Sequence, residues 1–221
     1  MLLSVDTSTA QSGLALYDGT QVLAELLWHS RAHHTRELAP ALAGLLERTG
    51  AKMDEVKAIG VAIGPGSFTS LRVGLAFAKG LSLARKLPIV GIPTLDIVAA
   101  SQPIAKVQLA VVLQAGRGRL ALADYQWSNS GWQVKGAPVV TDVDALLESI
   151  QSPTLVCGEL TAEERQRIRK NKNALLASPA ACARRPGMLA ELAWRRWQAG
   201  KVDNAASLAP IYLHVAEPIP S

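Results

Sequence analysis

The amino-acid sequence predicts an α/β protein built from two sheet-bearing units, and three observations lead there. The first hundred residues alternate short β-leaning runs with helical periodicities. The same order begins again after Ser101-Gln102-Pro103. Two helical stretches are apolar over more of their circumference than one sheet covers.

The chain has 221 residues and 49% hydrophobic side chains, enough for one large or two small cores. Its start, Met1-Leu2-Leu3-Ser4-Val5-Asp6, lacks a basic stretch ahead of a long apolar run. No apolar run reaches the roughly 20 residues that span a bilayer. A soluble, cytoplasmic chain without membrane contact is expected. Cys157 and Cys182 form neither a CxxC pair nor a secreted framework and read as reduced thiols.

Three antiparallel strands are expected over Leu2–Asp6, Gly13–Tyr17 and Gln21–Trp28, with Asp18-Gly19 as the hairpin turn. A helix over 36–49 follows, with Thr35 as N-cap, Gly50 as its C-terminal glycine and Pro40 near the first turn. Val56–Ile63 reads as a buried strand, 69–86 as a helix and Ile89–Ile92 as a strand. The second half repeats the theme with strands at 108–113, 120–127 and 132–140 and a helix at 143–150. A strand at 154–157 and helices at 162–170 and 186–199 come next, and an Ala/Pro-rich tail reads as loop. The unit boundary is placed at 103, giving 1–103 and 104–221.

Asp6-Thr7-Ser8-Thr9 sets a carboxylate and three hydroxyls at the end of the first strand. Such groups can hold a metal and donate to phosphate oxygens, although the same residues also suit a turn that caps a strand, which is the commoner use. Gly64-Pro65-Gly66-Ser67-Phe68-Thr69-Ser70-Leu71-Arg72 follows a strand and opens a helix. Free amides there suit an anion, but the lysine and hydroxyl of a P-loop are missing, and a tight turn into a closely packed helix explains the glycines better. His29 and His33 have metal-ligand spacing only on a helix, and here they flank a strand end. No Gly-x-Ser-x-Gly elbow exists.

Net charge is +5, and it is uneven. Between Arg165 and Lys201, ten basic residues face one acid, Glu191. Arg165, Arg167, Arg169, Lys170, Lys172, Arg184, Arg185, Arg195 and Arg196 thus form a candidate nucleic-acid footprint, with a solvated helical surface as the alternative. On the helix at 36–49 the apolar arc spans roughly 200°, about twice the usual stripe, while the helix at 69–86 leaves only Arg72, Lys79 and Lys86 along one stripe. Leu38, Leu42, Leu45, Leu46, Leu71, Gly74, Leu75, Phe77 and Ala78 are therefore the candidate partner interface.

Val5-Asp6-Thr7-Ser8, His34-Thr35, the Gly64–Thr69 segment with Leu71-Arg72, and Gly91-Ile92-Pro93-Thr94-Leu95 together resemble the bacterial TsaB (YeaZ) family. The match is dense over residues 1–100. Ala115-Gly116-Arg117-Gly118 and Pro210-Ile211-Tyr212-Leu213 continue it more thinly. The resemblance implies an α/β fold of the actin/Hsp70/sugar-kinase (ASKHA) type, with two subdomains carrying mixed sheets, the second shortened. It further implies a non-catalytic scaffold that pairs through its N-terminal helices with a TsaD-like catalytic subunit and, alone, with itself as a homodimer. In this picture a TsaE-like ATPase and tRNA join through the complex, threonylcarbamoyl moves to the adenosine following the anticodon, ATP and metal sit on the partner subunits, and this chain binds no cofactor firmly. Asp6, Thr7, Ser8 and Thr9 would then be a vestigial phosphate loop. Gln114-Ala115-Gly116 stands where the family has an Asp-Ala-Arg segment, which removes the second carboxylate of a nucleotide clamp. The competing enzyme reading is a small ATPase or carbohydrate kinase of the same superfamily using Asp6 and Thr9, with a peptidase a remoter third.

Overall fold

The computed structural model describes residues 1–30 and 33–213. The chain forms two compact units, one of Met1–Ile97 with Arg184–Ile211, the other of Val98–Ala183 with Tyr212 and Leu213.

The first unit opens with β1 (Leu2–Asp6), β2 (Gln11–Tyr17) and β3 (Val22–His29), an antiparallel meander. The β2–β3 turn behaves as its sequence predicts: Asp18 Oδ1 accepts the backbone N–H groups of Thr20 (2.7 Å) and Gln21 (2.8 Å), which holds the Asp18 carboxyl below its ordinary pKa. Then come α1 (His34–Thr49), β4 (Ala58–Ala62), α2 (Phe68–Arg85) and β5 (Ile89–Ile92), and α3 (Thr94–Ala100), a short helix the sequence did not announce, runs across the boundary at Ile97. Strand order is β3-β2-β1-β4-β5, with β4 and β5 parallel to β1.

Helix α1 ends as expected, Gly50 taking the left-handed conformation (φ 66°) at its C-terminus. Its start differs from the Thr35 cap. The helix begins at His34, no side chain caps it, and the carbonyl of His33 accepts from the N–H groups of Arg36 and Glu37. Burying His34 explains the earlier start, because its Nδ1 lies 2.9 Å from Ser12 Oγ on β2. Helix α2 is capped by Ser67, whose hydroxyl accepts the Ser70 N–H.

Strand β1 is buried on both faces. Leu3 and Val5 point into a core shared with Leu38, Leu42 and Leu45 of α1 and Leu75 and Ala78 of α2. Leu2 points to the opposite core, formed with Leu189, Ala190 and Ala193. These three belong to α6 (Pro186–Gln198), which corrects the unit boundary at 103: the last helix returns to the first unit and roofs the second face of its sheet. The approach is close. A Cβ on Gly60 would lie 2.6 Å from that of Ala193, and Ser4 Oγ donates to the Pro186 carbonyl at 2.8 Å.

The second unit carries β6 (Gln108–Gln114), β7 (Leu120–Ser128), β8 (Gly131–Val134), β9 (Val139–Thr141), α4 (Val143–Ser149), β10 (Thr154–Gly158), α5 (Ala162–Ile168) and β11 (Ala174–Leu176). Its strand order β8-β7-β6-β10-β11 reproduces that of the first sheet, again with an antiparallel meander followed by two parallel strands. The single strand expected over 132–140 divides into β8 and β9, both paired to β7. Between them lie Gly136 and Pro138, and proline has no N–H for a ladder. Strand β11 also went unread, being three residues long. The tail is irregular from Lys201 to Leu213 apart from a single bridge between Asp203 and Ile89, and its expected loop beyond that lies outside the described residues.

Candidate functional site

The Asp6–Thr9 turn lies against the start of α2, and each of its side chains has an internal partner. Asp6 Oδ1 accepts the Ser8 N–H (2.7 Å), and Oδ2 accepts from Arg184 Nε (2.9 Å). The same guanidinium donates through Nη2 to the Gln11 carbonyl (2.6 Å), and the Arg184 N–H donates to Gln11 Oε1 (2.8 Å). Thr7 Oγ1 donates to the Ser70 carbonyl at 2.6 Å. Ser8 Oγ lies 2.8 Å from Thr94 Oγ1, whose oxygen also accepts the Gly64 N–H. Thr9 Oγ1 accepts the Gln11 N–H at 3.2 Å. All four residues are buried.

The glycines of this region serve close packing, as the tight-turn reading of the sequence anticipated. The Ser67 N–H donates to the Ser8 carbonyl, and a Cβ on Gly66 would fall 2.2 Å from that oxygen. A Cβ on Gly74 would meet Thr7 Oγ1 at 2.2 Å. In the second unit, Gln114 Nε2 donates to Glu164 Oε2 (2.8 Å), so the position that lacks a carboxylate is tied to the start of α5. Among the described residues no cluster of three or more His, Cys, Asp or Glu side chains could hold a metal. His29 and His33 remain apart from any such set.

The basic stretch that looks continuous in sequence is divided between the two units. Arg184 must be withdrawn from the nucleic-acid footprint: it is 1% exposed, and its charge is met by Asp6. Arg185 pairs with Glu25, Arg195 with Glu191, and Arg196 donates to the Gly91 carbonyl and approaches Asp203. Arg165 donates to the Ala177 carbonyl (2.6 Å), and Arg167 pairs with Asp144. Arg169, Lys170 and Lys172, at and beyond the end of α5, are exposed. A charge count over residues 165–201 registers Glu191 alone, because Asp203 lies just past that window and Asp6, Glu25 and Asp144 lie farther away in sequence.

The helix face expected to meet a partner is also corrected. Leu38, Leu42, Leu45, Leu71, Leu75 and Ala78 are buried within the protein's own core, and Gly74 sits on Thr7. Leu46 and Phe77 are half-buried at its margin. What faces outward is a different stripe: Phe68 is 52% and Leu83 70% exposed, with Arg72, Ala76 and Gly80 between them. Between α1 and α2 a groove of about 490 Å³ is lined by Thr35 and Leu38 on one side and Phe68, Thr69, Arg72, Val73, Ala76 and Phe77 on the other. The Arg72 guanidinium lies over the Phe68 ring, 3.7 Å from its centroid. The excess apolar arc signalled such a surface, but its phase relative to the sheet was not available from periodicity.

Comparison with known proteins agrees with this geometry. Residues 22–185 match the model of the TsaD family, tRNA N6-adenosine threonylcarbamoyltransferase. The tRNA threonylcarbamoyladenosine biosynthesis protein TsaB of Bacillus subtilis (strain 168) is 29% identical over 98% of this chain and 95% of its own length. TsaB of Escherichia coli (strain K12) is 29% identical over 68% of this chain and 66% of its own. A Pseudomonas aeruginosa crystal structure, described as similar to the peptidase YeaZ, superposes with a TM-score of 0.80 at 22% identity, covering 96% of this chain and 99% of that one. The repeated strand order, helices included, is the actin/Hsp70/sugar-kinase architecture. The chain belongs to the tRNA N6-adenosine threonylcarbamoyltransferase family, in its TsaB (YeaZ) branch.

Proposed function

We propose that this chain is the non-catalytic partner of a TsaD-like subunit, required for moving threonylcarbamoyl to the adenosine following the anticodon of tRNA. The observation that carries the non-catalytic reading is the arginine at Asp6. In a nucleotide-using member of this fold the carboxylate and hydroxyls at that turn face phosphate and metal. Here the guanidinium of Arg184 takes the carboxylate, and Thr7 and Ser8 bond to Ser70 and Thr94. ATP and metal then belong to the partner subunits, with a TsaE-like ATPase joining the assembly.

The outward stripe of α2 and the neighbouring groove support a docking role for the α1/α2 face. The chain alone would form a homodimer through the same face, so the two associations compete. Arg169, Lys170 and Lys172 are the side chains best placed to add phosphate contacts when the complex holds tRNA, in the cytoplasm where tRNA is modified.

Reconstitution tests this reading. The chain and its organism's TsaD homologue are co-expressed, separated by size exclusion and assayed for modified adenosine in tRNA with the ATPase added. A stable heterodimer that is active only when this chain is present is expected. Activity undiminished without it, or ATP turnover by the chain alone above about one per second, overturns the proposal.

A further inference from the structure

We infer that one end of the second unit's sheet takes a single-stranded stretch of RNA, an unpaired base stacking on Trp127 while the flanking phosphates meet Lys106, Arg169, Lys170 and Lys172. The inference rests on the reading that tRNA joins the complex, and it names the kind of RNA segment this chain holds.

Strand register brings these residues to a common end. Gln108 opens β6 level with Thr154 of β10, Thr154 is level with Ala174 of β11, and Leu109 stands opposite Tyr125 on β7. That end of the sheet is therefore made of the residues that lead into β6, β10 and β11, together with the tip of the β7–β8 hairpin, where Ser128 is opposite Gly131. Lys106 enters β6 there, and Arg169, Lys170 and Lys172 lie in the connection from α5 into β11. From β7 to β11 the end spans three strand spacings, roughly 15 Å.

The aromatic part is held ready. Trp127 and Trp132 face each other across the hairpin and pack edge to face, with ring centroids 5.4 Å apart. Trp132 Nε1 donates to the Gln102 carbonyl at 3.4 Å, which fixes that ring and, through it, its neighbour. Trp127 is 36% exposed. An indole on the rim of a sheet offers a stacking platform to a base of any identity, and only an unpaired base reaches it.

The charge at this end suits a polyanion once the acids are counted with the cations. Lys106, Lys135, Arg169, Lys170 and Lys172 are exposed, and among the described residues none of them is in an ion pair, whereas Arg167 is matched by Asp144. Glu148, exposed in the last turn of α4, is the acid nearest the basic turn, because Asn171 Nδ2 donates to the adjoining Leu147 carbonyl at 3.3 Å. Asp124 is the other acid, and its carbonyl accepts the Lys135 N–H across the β7–β8 pair. Five cations thus stand against two acids. Asn171 Oδ1 also accepts the Asn173 N–H at 2.9 Å, so the basic turn offers charge to phosphates and spends its amide internally.

The test uses the reconstituted complex of this chain with the TsaD homologue of its organism. Binding of tRNA is measured by filter retention across a sodium chloride series, with a uridine oligomer or a blunt RNA duplex as competitor, and tryptophan emission is followed in parallel. Trp127→Leu should weaken tRNA binding roughly tenfold with the salt slope unchanged, and Trp127→Phe should retain most of the affinity. Lys106→Gln alters an exposed side chain, should fold normally, and should lower the salt slope by about one. The uridine oligomer should compete better than the duplex, and it should quench wild-type emission more than that of Trp127→Leu.

Transfer RNA affinities within about twofold of wild type for both Trp127→Leu and Lys106→Gln would overturn the inference while leaving the partner-subunit reading intact. A duplex that competes as well as the oligomer would do the same. Variants at Trp127 or Lys106 that melt like wild type yet lose the TsaD homologue would make this end a protein contact, which also overturns it. Failure of the wild-type complex to bind tRNA at any salt concentration would bring down both.

Discussion

Arg184 Nε donates to Asp6 Oδ2 at 2.9 Å across 178 residues of chain, with Asp6 2% and Arg184 1% exposed. This contact fastens the start of α6 to the end of β1. It also occupies the carboxylate that a phosphate loop would use. A buried pair of this kind contributes little by itself relative to apolar residues, but breaking it strands a charge.

Asp6→Ala should accordingly destabilise the first unit by about 3–5 kcal/mol, measured by urea denaturation. Asp6→Ala combined with Arg184→Met should recover a substantial part of that loss, since no charge is then left unpaired. If the double variant were as unstable as the sum of the singles, the pair would not be coupled as the geometry implies.

Substitutions on the two sides of α1 and α2 should separate folding from docking. Leu42→Asp and Leu75→Asp place a charge in the core and should unfold the chain, with losses above about 4 kcal/mol. Phe68→Asp and Ala76→Asp lie on the outward stripe, should change stability by no more than about 0.5 kcal/mol, and should abolish capture of the TsaD homologue in pull-down. Retention of full binding by both outward variants would place the interface elsewhere.

For tRNA, the expectation narrows to three side chains. Reversing Arg169, Lys170 and Lys172 to Glu should weaken tRNA binding by the reconstituted complex and flatten its dependence on salt. The triple variant should fold normally. Reversal of Arg184, by contrast, should cost the fold itself, so any loss of tRNA affinity there reports unfolding. Filter binding across a salt series, with circular dichroism as the folding control, distinguishes the two.

His34 should make stability depend on pH. Burial beside Ser12 pushes its pKa below the ordinary 6.5, opposed only in part by Glu37. The unfolded chain thus takes up this proton at a higher pH than the folded one. Its contribution is fully present above about pH 6.5 and is lost as pH falls below that value toward the depressed folded pKa. Urea midpoints for wild type should drop between pH 7.5 and 5.5 by more than those of His34→Gln. Identical pH dependence in the two proteins would show that His34 does not carry the effect.

Much of this molecule was legible without coordinates, and for a local reason. Strands β1 to β5, the Asp18-Gly19 turn and the Gly50 terminus depend on contacts within a few residues, where alternation, propensity and turn chemistry act directly. The second appearance of strands and a helix after residue 103 was visible on the same grounds, and so was the packing role of the Gly64–Ser67 turn. Strand β11 escaped because its three residues hold too little alternation to register, and α3, which starts directly after Pro93, was not read either. What only the tertiary structure decided was which face of each helix meets the sheet, and which charge meets which. Periodicity places Leu42 and Leu75 on apolar faces of their helices but does not say that their own sheet fills those faces, with Phe68 and Ala76 left exposed. Arg184 reads as surface in a basic run, yet the return of α6 to the first unit carries it to Asp6. Burial and charge pairing over such separations are set by how the chain closes on itself, and no local pattern encodes that closure.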